Sequence, residues 1–193
     1  MKKRCQWCEK TELEKAYHDK EWGKPLYDDD QLFEFLCLEG AQAGLSWLTI
    51  LKKRDAYRQA FDHFDAHKVS LYDEQKVDSL MQDASIIRNR LKIKAFITNA
   101  KAFLAIQKSY GSFHRYLWSF VPEGRPIVNH YTKWEDIPAS NALSHQLSQE
   151  LKKQGFKFVG PTICYAFMQA IGMVNDHTTD CFRYQELIQE TKL

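Results

Sequence analysis

The sequence predicts an all-α fold, and three observations support that class. Apolar residues recur at helical spacing in several separate segments of the 193-residue chain. No strand-length run of alternating polarity is bounded by hairpin turns. The stretch over residues 122–138 contains three prolines and looks like one long surface connection. A chain of this length suffices for one domain, or for two small lobes that share a core.

The first two predicted helices have clear start signals. Asp28 to Asp30 place acidic groups where the dipole of a following helix favours them. The apolar face of that helix comprises Leu32, Phe33, Phe35 and Leu36. Ser46 is suited to cap the next helix, because its side chain can accept a hydrogen bond from the first turn. The stripe of that helix comprises Trp47, Ile50, Leu51, Arg54, Tyr57 and Phe61.

Three later helices are predicted from the same periodicity. One stripe comprises Ile93, Phe96, Ile97, Ala100 and Leu104. A second comprises Leu143, Leu147 and Leu151, with Ser140 as its start signal and Gly155 as its stop. A third comprises Ile163, Phe167, Ala170 and Val174. The best strand candidate is the short segment from Phe156 to Val159.

Composition and charge limit the class of protein. A formal net charge of +2 is too small to indicate a polyanionic partner, so any DNA-binding charge must be locally clustered. No apolar stretch follows the charged N-terminus and no membrane-length apolar run occurs, so we expect no secretory signal and no membrane contact. Five cysteines without a secretory signal favour a reducing, cytoplasmic setting over a disulfide framework. Nothing indicates an oligomer, so a monomer is expected.

Two cysteines and two histidines stand at opposite ends of the chain: Cys5, His18, His177 and Cys181. Such a set closes a tetrahedral site, which suits one structural zinc ion better than a catalytic ion that keeps a position open for water. A metal ion bound by all four residues would cross-link the two ends of the chain and close a very long loop. A cross-link of this kind stabilises the folded state most when the loop is long, because it removes most conformational entropy from the unfolded chain. Any one of these residues taken alone is more often a core or surface residue than a ligand.

Cys8 competes with Cys5 for a place in this set. The spacing Cys5-x-x-Cys8 is also typical of a zinc knuckle or a redox motif. No thioredoxin-like strand and helix surround it, which disfavours the redox interpretation. Spacing alone does not decide which of the two cysteines is a ligand.

Glu39 is an unusual carboxylate because of its neighbours. It follows an apolar helix, precedes a loop of small residues, and has Trp47 eight residues later. A buried carboxylate beside aromatic rings can accept hydrogen bonds from a purine amino group while the rings stack on the base. The alternative is a solvated carboxylate at a helix end, and the local sequence leaves both open.

Several long motifs resemble one protein family. They are Arg4-Cys5-x-Trp7, Tyr17-His18-Asp19-x-Glu21-Trp22-Gly23, Leu38-Glu39-Gly40-x-Gln42-Ala43-Gly44-Leu45-Ser46-Trp47, Ile86-Ile87-Arg88, and Gly155-Phe156-Lys157-Phe158-Val159-Gly160 through Val174-Asn175-Asp176-His177. Together they run from about residue 4 to residue 181, and they resemble the type I 3-methyladenine DNA glycosylases of the helix-hairpin-helix superfamily.

The resemblance implies an all-helical, two-lobed fold with the base pocket between the lobes. Residues 1–193 would form one glycosylase domain, in which the N- and C-terminal segments make a zinc-tied lobe and roughly residues 45–120 make the helix-hairpin-helix lobe. The implied zinc ligands are Cys5, His18, His177 and Cys181, which leaves Cys8 as an extra thiol. The implied base-binding residues are Tyr17, Glu39 and Trp47, with Trp7 and Trp22 lining the same cavity. Glu39 is the expected catalytic residue.

The resemblance also implies where DNA is held. The hairpin would lie near residues 83–92, between a helix that ends at Gln82 and one that starts near Asn89. Candidate DNA-binding residues are Gly44, Leu45, Ile86, Arg88 and Lys92. Leu45 is either a plug for the gap left by an extruded nucleotide or a core residue. One departure is Ser85, which stands where family members often have glycine in the tight turn.

The implied activity is hydrolysis of the N-glycosidic bond of 3-methyladenine in alkylated double-stranded DNA, without strand nicking. A base methylated at N3 is cationic in the nucleoside and leaves readily, so the absence of the catalytic aspartate of related glycosylases is tolerable. One alternative is a bifunctional enzyme, which needs a desolvated lysine in the pocket. Another is a non-catalytic, zinc-containing helix-hairpin-helix module that only binds DNA.

Overall fold

Helices dominate the protein in this computed structural model, which describes residues 2–191. The α-helices of that range are α1 (Glu12–Lys20), α2 (Asp29–Gln42), α3 (Trp47–Ala60), α4 (Ala66–Ser70), α5 (Glu74–Gln82), α6 (Arg90–Tyr110), α7 (Phe113–Trp118), α8 (Ala142–Lys153), α9 (Pro161–Ala170) and α10 (Phe182–Glu190). Two short strands, β1 (Ile127–Val128) and β2 (Val174–Asn175), pair in parallel. The predicted helical class is therefore confirmed. No helix within residues 2–191 is long and apolar enough to cross a membrane.

Side-chain caps fix where the helices begin. Ser46 accepts a hydrogen bond from the N–H of Thr49 at the start of α3, as predicted, and Asp28 does the same for α2. Such a cap contributes about 1 kcal/mol to stability. The prediction for α8 was one residue early: Asn141, not Ser140, is the cap, and it forms a capping box with Ser144.

The helix that was predicted to run to Val174 ends at Ala170. Gly172 then turns the chain with a φ of +73°, and a Cβ there would lie 2.5 Å from the backbone of Lys24. Only glycine fits so close an approach. Val174 instead pairs with Ile127 in the parallel strands, which directs the chain toward His177.

The strand predicted over Phe156 to Val159 is absent from the described structure. Phe158 adopts a φ of +54°, which no extended strand permits. Asn99 on α6 accepts a hydrogen bond from the N–H of Lys157 at 2.7 Å and donates one to its carbonyl at 3.1 Å. These bonds satisfy backbone groups that a neighbouring strand would otherwise have paired.

The turn between α5 and α6 has the predicted boundaries, because α5 ends at Gln82 and Asn89 caps α6. Within the turn, Asp83 accepts a hydrogen bond from the N–H of Ser85 at 2.8 Å and another from its hydroxyl at 2.5 Å. Ser85 has no positive φ, so the turn accommodates a side chain at this position. Lys53 of α3 donates to the carbonyl of Ser85 at 2.9 Å and so ties the turn to α3.

Helix α2 occupies the centre of the molecule. Its residues from Leu32 to Ala41 are buried, and it packs against α3, α6, α7 and α9. The N- and C-terminal segments meet nearby, where the N–H of Phe182 donates to the carbonyl of Lys3 at 2.9 Å. The last turn of α2 carries Glu39 and Gln42, which lie close to Trp7 of the N-terminal segment.

A candidate base pocket beside a buried cysteine and histidine cluster

Four side chains from distant parts of the sequence meet in one buried cluster: Cys5, His18, His177 and Cys181. Their potential ligand atoms all lie within 4.8 Å of one another. His177 Nδ1 is 3.1 Å from His18 Nε2 and 3.5 Å from the sulfur of Cys5. The sulfur of Cys181 is 3.4 Å from His18 Nε2. Helix α1 carries His18, and the turn before α10 carries both His177 and Cys181.

The outer nitrogens of both imidazoles have partners that fix the direction of the inner ones. His18 Nδ1 lies 2.8 Å from the carboxylate of Asp19, which Arg4 holds from the other side at 2.8 and 2.9 Å. His177 Nε2 lies 3.1 Å from the carbonyl oxygen of Trp22. Partners of this kind orient imidazoles that bind metal ions.

The donor set fits a closed tetrahedral metal site. Bond lengths to zinc would place neighbouring ligand atoms about 3.3–3.8 Å apart, close to the 3.1–3.5 Å measured between the histidine nitrogens and their neighbours in the cluster. Burial lowers the pKa of His177, which favours the neutral imidazole that binds a metal. A hydrogen bond from the Cys5 thiol, and further bonds from both histidines, hold the pKa of Cys181 well below its usual value. The cluster can therefore hold a metal ion.

The structure distinguishes Cys5 from Cys8. Cys5 lies in the cluster, whereas the thiol of Cys8 donates to the carbonyl of Cys5 at 3.1 Å and is not part of the cluster. The short 3-10 turn that follows Cys5 rotates Cys8 away. Cys8 is thus the extra thiol.

Beside this cluster lies a cavity of about 270 Å³. Its lining includes all five expected base-binding residues, Trp7, Tyr17, Trp22, Glu39 and Trp47. Helix α1 contributes Tyr17, α2 contributes Glu39 and α3 contributes Trp47. Helix α9 also contributes to the lining, so four helices and the N-terminal turn converge on one space that contains several aromatic rings.

Four polar atoms on this wall are buried without a partner. They are Glu39 Oε2, the Tyr17 hydroxyl, and the indole nitrogens of Trp7 and Trp47. Only six such side-chain atoms occur in the described part of the chain, so most of them concentrate here. A buried polar group without a hydrogen bond costs about 1–3 kcal/mol, and such groups are rare in native proteins. Their concentration indicates a site built for a polar, planar ligand.

Glu39 lies inside the last turn of α2 and not beyond its end. The helix continues to Gln42, and the Glu39 side chain is only 4% exposed. This excludes the solvated helix-end alternative. Desolvation raises the pKa of Glu39 to about 8, since no cation lies beside it to stabilise the charge. A cationic ligand in the cavity would supply that stabilisation.

Tyr17 and Trp47 form one corner of the cavity, with ring centroids 5.4 Å apart. Burial and the nearby carboxyl of Glu39 raise the pKa of Tyr17 well above its usual value, so its hydroxyl stays neutral and can donate. The guanidinium of Arg54 lies 5.9 Å from the Tyr17 ring and binds Glu21 through two hydrogen bonds of 2.7 and 2.8 Å. Arg54 therefore supports Tyr17 and is not a free basic group.

The sequence interpretation missed several lining residues, among them Glu14, Gln42, Trp134 and Gln169. Glu14 lies one helical turn before Tyr17 on α1, a spacing that puts both on one face, so a sequence signal existed. Trp134 and Gln169 come from remote segments. No local pattern in the sequence places them beside Glu39.

The loop after α2 projects beside the cavity. Gly44 has a φ of +78° and open space around it, and Leu45 is 38% exposed. The next two residues, Ser46 and Trp47, line the cavity. Leu45 is therefore at the edge of the pocket, and the alternative of a core residue does not hold.

The expected DNA-binding residues near the hairpin differ in exposure. Arg88 is exposed, whereas the Ile86 side chain is 3% exposed and packs in the core. Lys92 requires a correction, because its ammonium is buried and donates to the carbonyls of Ala41 at 2.8 Å and Ala43 at 2.6 Å. Its side chain therefore binds the C-terminal end of α2 and does not face outward. The last carbonyl groups of a helix have no partner within the helix, so a cation is favourable there.

Comparison with known proteins places this geometry in a family. The sequence profile of the methyladenine glycosylase family matches residues 7–184. The chain belongs to the methyladenine glycosylase family. Over 181 residues it is 52% identical to DNA-3-methyladenine glycosylase 1 of Escherichia coli strain K12, covering 94% of this chain and 96% of that one. It is 48% identical to DNA-3-methyladenine glycosylase of Haemophilus influenzae, covering 94% and 97%.

Solved structures of the family have the same fold. A crystal structure of 3-methyladenine DNA glycosylase I superposes with a TM-score of 0.91 at 50% identity, covering 93% of this chain and 98% of that one. A variant of 3-methyladenine DNA glycosylase I in complex with 3-methyladenine superposes with a TM-score of 0.90 at 41% identity, covering 93% and 96%. The helical fold described above is therefore the fold of this family.

Proposed function

We propose that this chain is a base-excision repair enzyme that hydrolyses the N-glycosidic bond of 3-methyladenine in alkylated double-stranded DNA. One observation carries the proposal: a buried carboxyl without a cationic partner shares a cavity with three unpartnered hydroxyl and indole groups. That arrangement is complementary to a flat, cationic purine. Family membership and the related structure in complex with 3-methyladenine support the same ligand.

The proposed mechanism relies on recognition more than on acid catalysis. The nucleotide is extruded from the duplex into the cavity, where Trp47 and Tyr17 stack against the base. Trp7 and Trp22 line the cavity beside them. Glu39 accepts hydrogen bonds from the base and loses its own proton as the positive charge approaches. Because the N3-methylated base already carries positive charge, a carboxylate at its edge holds it while water attacks the sugar.

A monofunctional reaction fits the lining of the cavity. A lyase step would require a lysine amine in contact with the sugar to form a Schiff base. No lysine is among the described residues that line the cavity. A non-catalytic DNA-binding module is the less favoured alternative, because DNA binding alone would not require four unpartnered polar atoms in a buried cavity.

We further propose that α5, the turn at residues 83–89 and α6 form the helix-hairpin-helix element that holds the DNA backbone. The N–H groups of Ile86 and Arg88 donate to no other described residue, which leaves both for a phosphate. The start of the long helix α6 adds its dipole at the same place. Leu45 and Gly44 would fill the gap left by the extruded nucleotide. In this arrangement roughly residues 45–120 form one lobe, and the protein acts as a monomer.

The cysteine and histidine cluster is proposed to hold one structural zinc ion. With four protein ligands such a site has no position left for a catalytic water. The ion would hold the two ends of the chain together. Trp7 packs against His18 and Trp22 against His177, so a bound ion would also hold these two residues of the pocket wall in place.

Chromatography of bases released from methylated duplex DNA tests the proposed function. The wild-type protein should release free 3-methyladenine and leave the DNA strands without nicks. Borohydride treatment during the reaction should trap no protein–DNA adduct. Binding to the DNA without release of any base would favour the non-catalytic module, and a trapped adduct would favour the bifunctional enzyme.

A further inference from the structure

Asp176 is the centre of a buried hydrogen-bond network behind the pocket. Its carboxylate is fully buried and accepts from the Tyr165 hydroxyl at 2.6 Å, from Gln169 Nε2 at 2.8 Å and from Asn129 Nδ2 at 2.7 Å. A carboxylate only accepts hydrogen bonds, so Gln169 must turn its NH₂ group toward Asp176. The orientation of this amide is therefore determined by chemistry.

Gln169 also lines the cavity that contains Glu39. It lies one turn after Ala166, another lining residue, on the same face of α9. One N–H of Nε2 is committed to Asp176, and Oε1 is the one acceptor that the amide offers to a ligand. No described residue donates a hydrogen bond to this oxygen. The cavity wall thus has an acceptor of fixed direction in addition to the carboxyl of Glu39.

The hydrogen bond from Nε2 to the buried carboxylate of Asp176 orients the Gln169 amide. A glutamine amide without such a partner can rotate by half a turn and present either a donor or an acceptor at nearly no cost. Tyr165 and Gln169 are four residues apart on α9, so both reach the same carboxylate. Asn129 approaches from the segment after β1 and completes the set of three donors. Rotation of the Gln169 amide would break its bond to a buried carboxylate.

We infer that Gln169, positioned by Asp176, is a specificity residue that accepts a hydrogen bond from the exocyclic amino group of an adenine-type base. A guanine-type base presents a carbonyl oxygen at that position. Two acceptors would then face each other in a buried site, and neither would have a hydrogen bond. The inference rests on the proposed function, because it concerns the base that this pocket receives.

The test compares two matched substitutions on α9. Gln169→Met keeps a similar side-chain length and removes the acceptor. Tyr165→Phe removes a different hydrogen bond to Asp176 but does not alter the lining of the cavity. For each protein, single-turnover release of 3-methyladenine and 3-methylguanine is measured from one preparation of methylated DNA. Thermal unfolding and metal content establish that both variants are folded.

We expect Gln169→Met to lower the preference for 3-methyladenine over 3-methylguanine by about 10- to 100-fold, as for loss of one base-reading hydrogen bond. Tyr165→Phe should keep the wild-type ratio. Quenching of tryptophan fluorescence by the two free bases gives the same comparison if a variant is too unstable for turnover. If the wild type is active and Gln169→Met has the same ratio of 3-methyladenine to 3-methylguanine release, this inference is overturned but the proposed function is not. Release of neither base by the wild type overturns the proposed function, and this inference with it.

Discussion

The indole of Trp22 packs edge-on against the imidazole of His177, with ring centroids 4.6 Å apart, while its carbonyl oxygen lies 3.1 Å from Nε2 of the same histidine. Trp22 also lines the cavity that contains Glu39. A single residue thus contacts both the buried cysteine and histidine cluster and the pocket. A change in the position of His177 should therefore displace Trp22 and alter the shape of the pocket.

Removal of the proposed metal should destabilise the protein before it alters the chemistry. Cys181→Ser loses one ligand, so we expect it to lose the bound ion and several kcal/mol of stability. Cys8→Ser is the matched control, because its hydroxyl can make the same bond to the Cys5 carbonyl outside the cluster. Metal content and thermal unfolding of both variants check this. Equal effects of the two substitutions would contradict the assignment of the ligands.

Glu39 should give the folded protein a defined pH dependence. Desolvation raises its pKa from 4.5 to about 8, so the folded state keeps a proton that the unfolded state releases between these values. The stability linked to this proton is fully present below the unfolded pKa and is lost as the pH rises toward 8. From about pH 6 to about pH 9 the loss amounts to about 2–3 kcal/mol.

The glutamine of Glu39→Gln cannot ionise, so this variant should not lose stability in that way between about pH 6 and about pH 9. All its other titrating groups are those of the wild type. Its stability relative to the wild type should therefore increase as the pH rises. Denaturant unfolding of both proteins at the two pH values measures the difference. Parallel pH curves would show that Glu39 titrates at its ordinary value.

Arg88 and Arg90 should differ in their contribution to DNA affinity. Arg88 is exposed and pairs with no described acid, whereas Arg90 already binds Glu74 and Asp78. Arg88→Ala should weaken binding and lower the slope of log affinity against log salt by about one. Arg90→Ala should change the slope less, because its charge is already neutralised. Titrations at several salt concentrations check both variants, and equal slopes would argue against a phosphate contact at Arg88.

Leu45→Ala should slow base excision with little effect on stability. Its side chain is 38% exposed, so its removal should change the free energy of unfolding by less than about 1 kcal/mol. Loss of an apolar plug makes extrusion less favourable. The defect should be smaller on DNA with an abasic site opposite the target, where extrusion costs less. Leu71→Ala, at an exposed leucine directly after α4, is the control. An equal defect on both substrates would argue against the plug.

Helical periodicity predicted much of the fold, because the spacing of apolar residues reports which face is buried. It gave the helix that begins after the cap at Ser46, whereas the boundaries of the turn after Gln82 came from the family resemblance. It did not separate the end of α9 from the strand at Val174, because Ala170, Ile171, Met173 and Val174 are all apolar and buried. The turn at Gly172 depends on the approach of Lys24 from a distant segment, and no local pattern encodes that contact.

The site was predicted where residue types carry chemistry of their own. Glu39 among aromatic residues and the two pairs of cysteine and histidine have recognisable motifs. Lys92 was predicted to bind DNA because the sequence gives its charge but not the direction of its side chain. In the structure its ammonium group donates a hydrogen bond to the carbonyl of Ala41 at the end of α2. Gln169 was missed because its role depends on Asp176 behind it. Such partners follow from tertiary packing and not from spacing.

Single-turnover release of 3-methyladenine from methylated duplex DNA by Glu39→Gln, beside the wild type, tests the central claim most directly. Glutamine fills the same space but cannot carry the negative charge that the cationic base requires. We predict a folded variant with its metal content intact that releases 3-methyladenine about 10- to 100-fold more slowly, as for loss of a charged hydrogen bond. Release at the wild-type rate by that folded variant would contradict the role assigned to Glu39 and to the pocket around it.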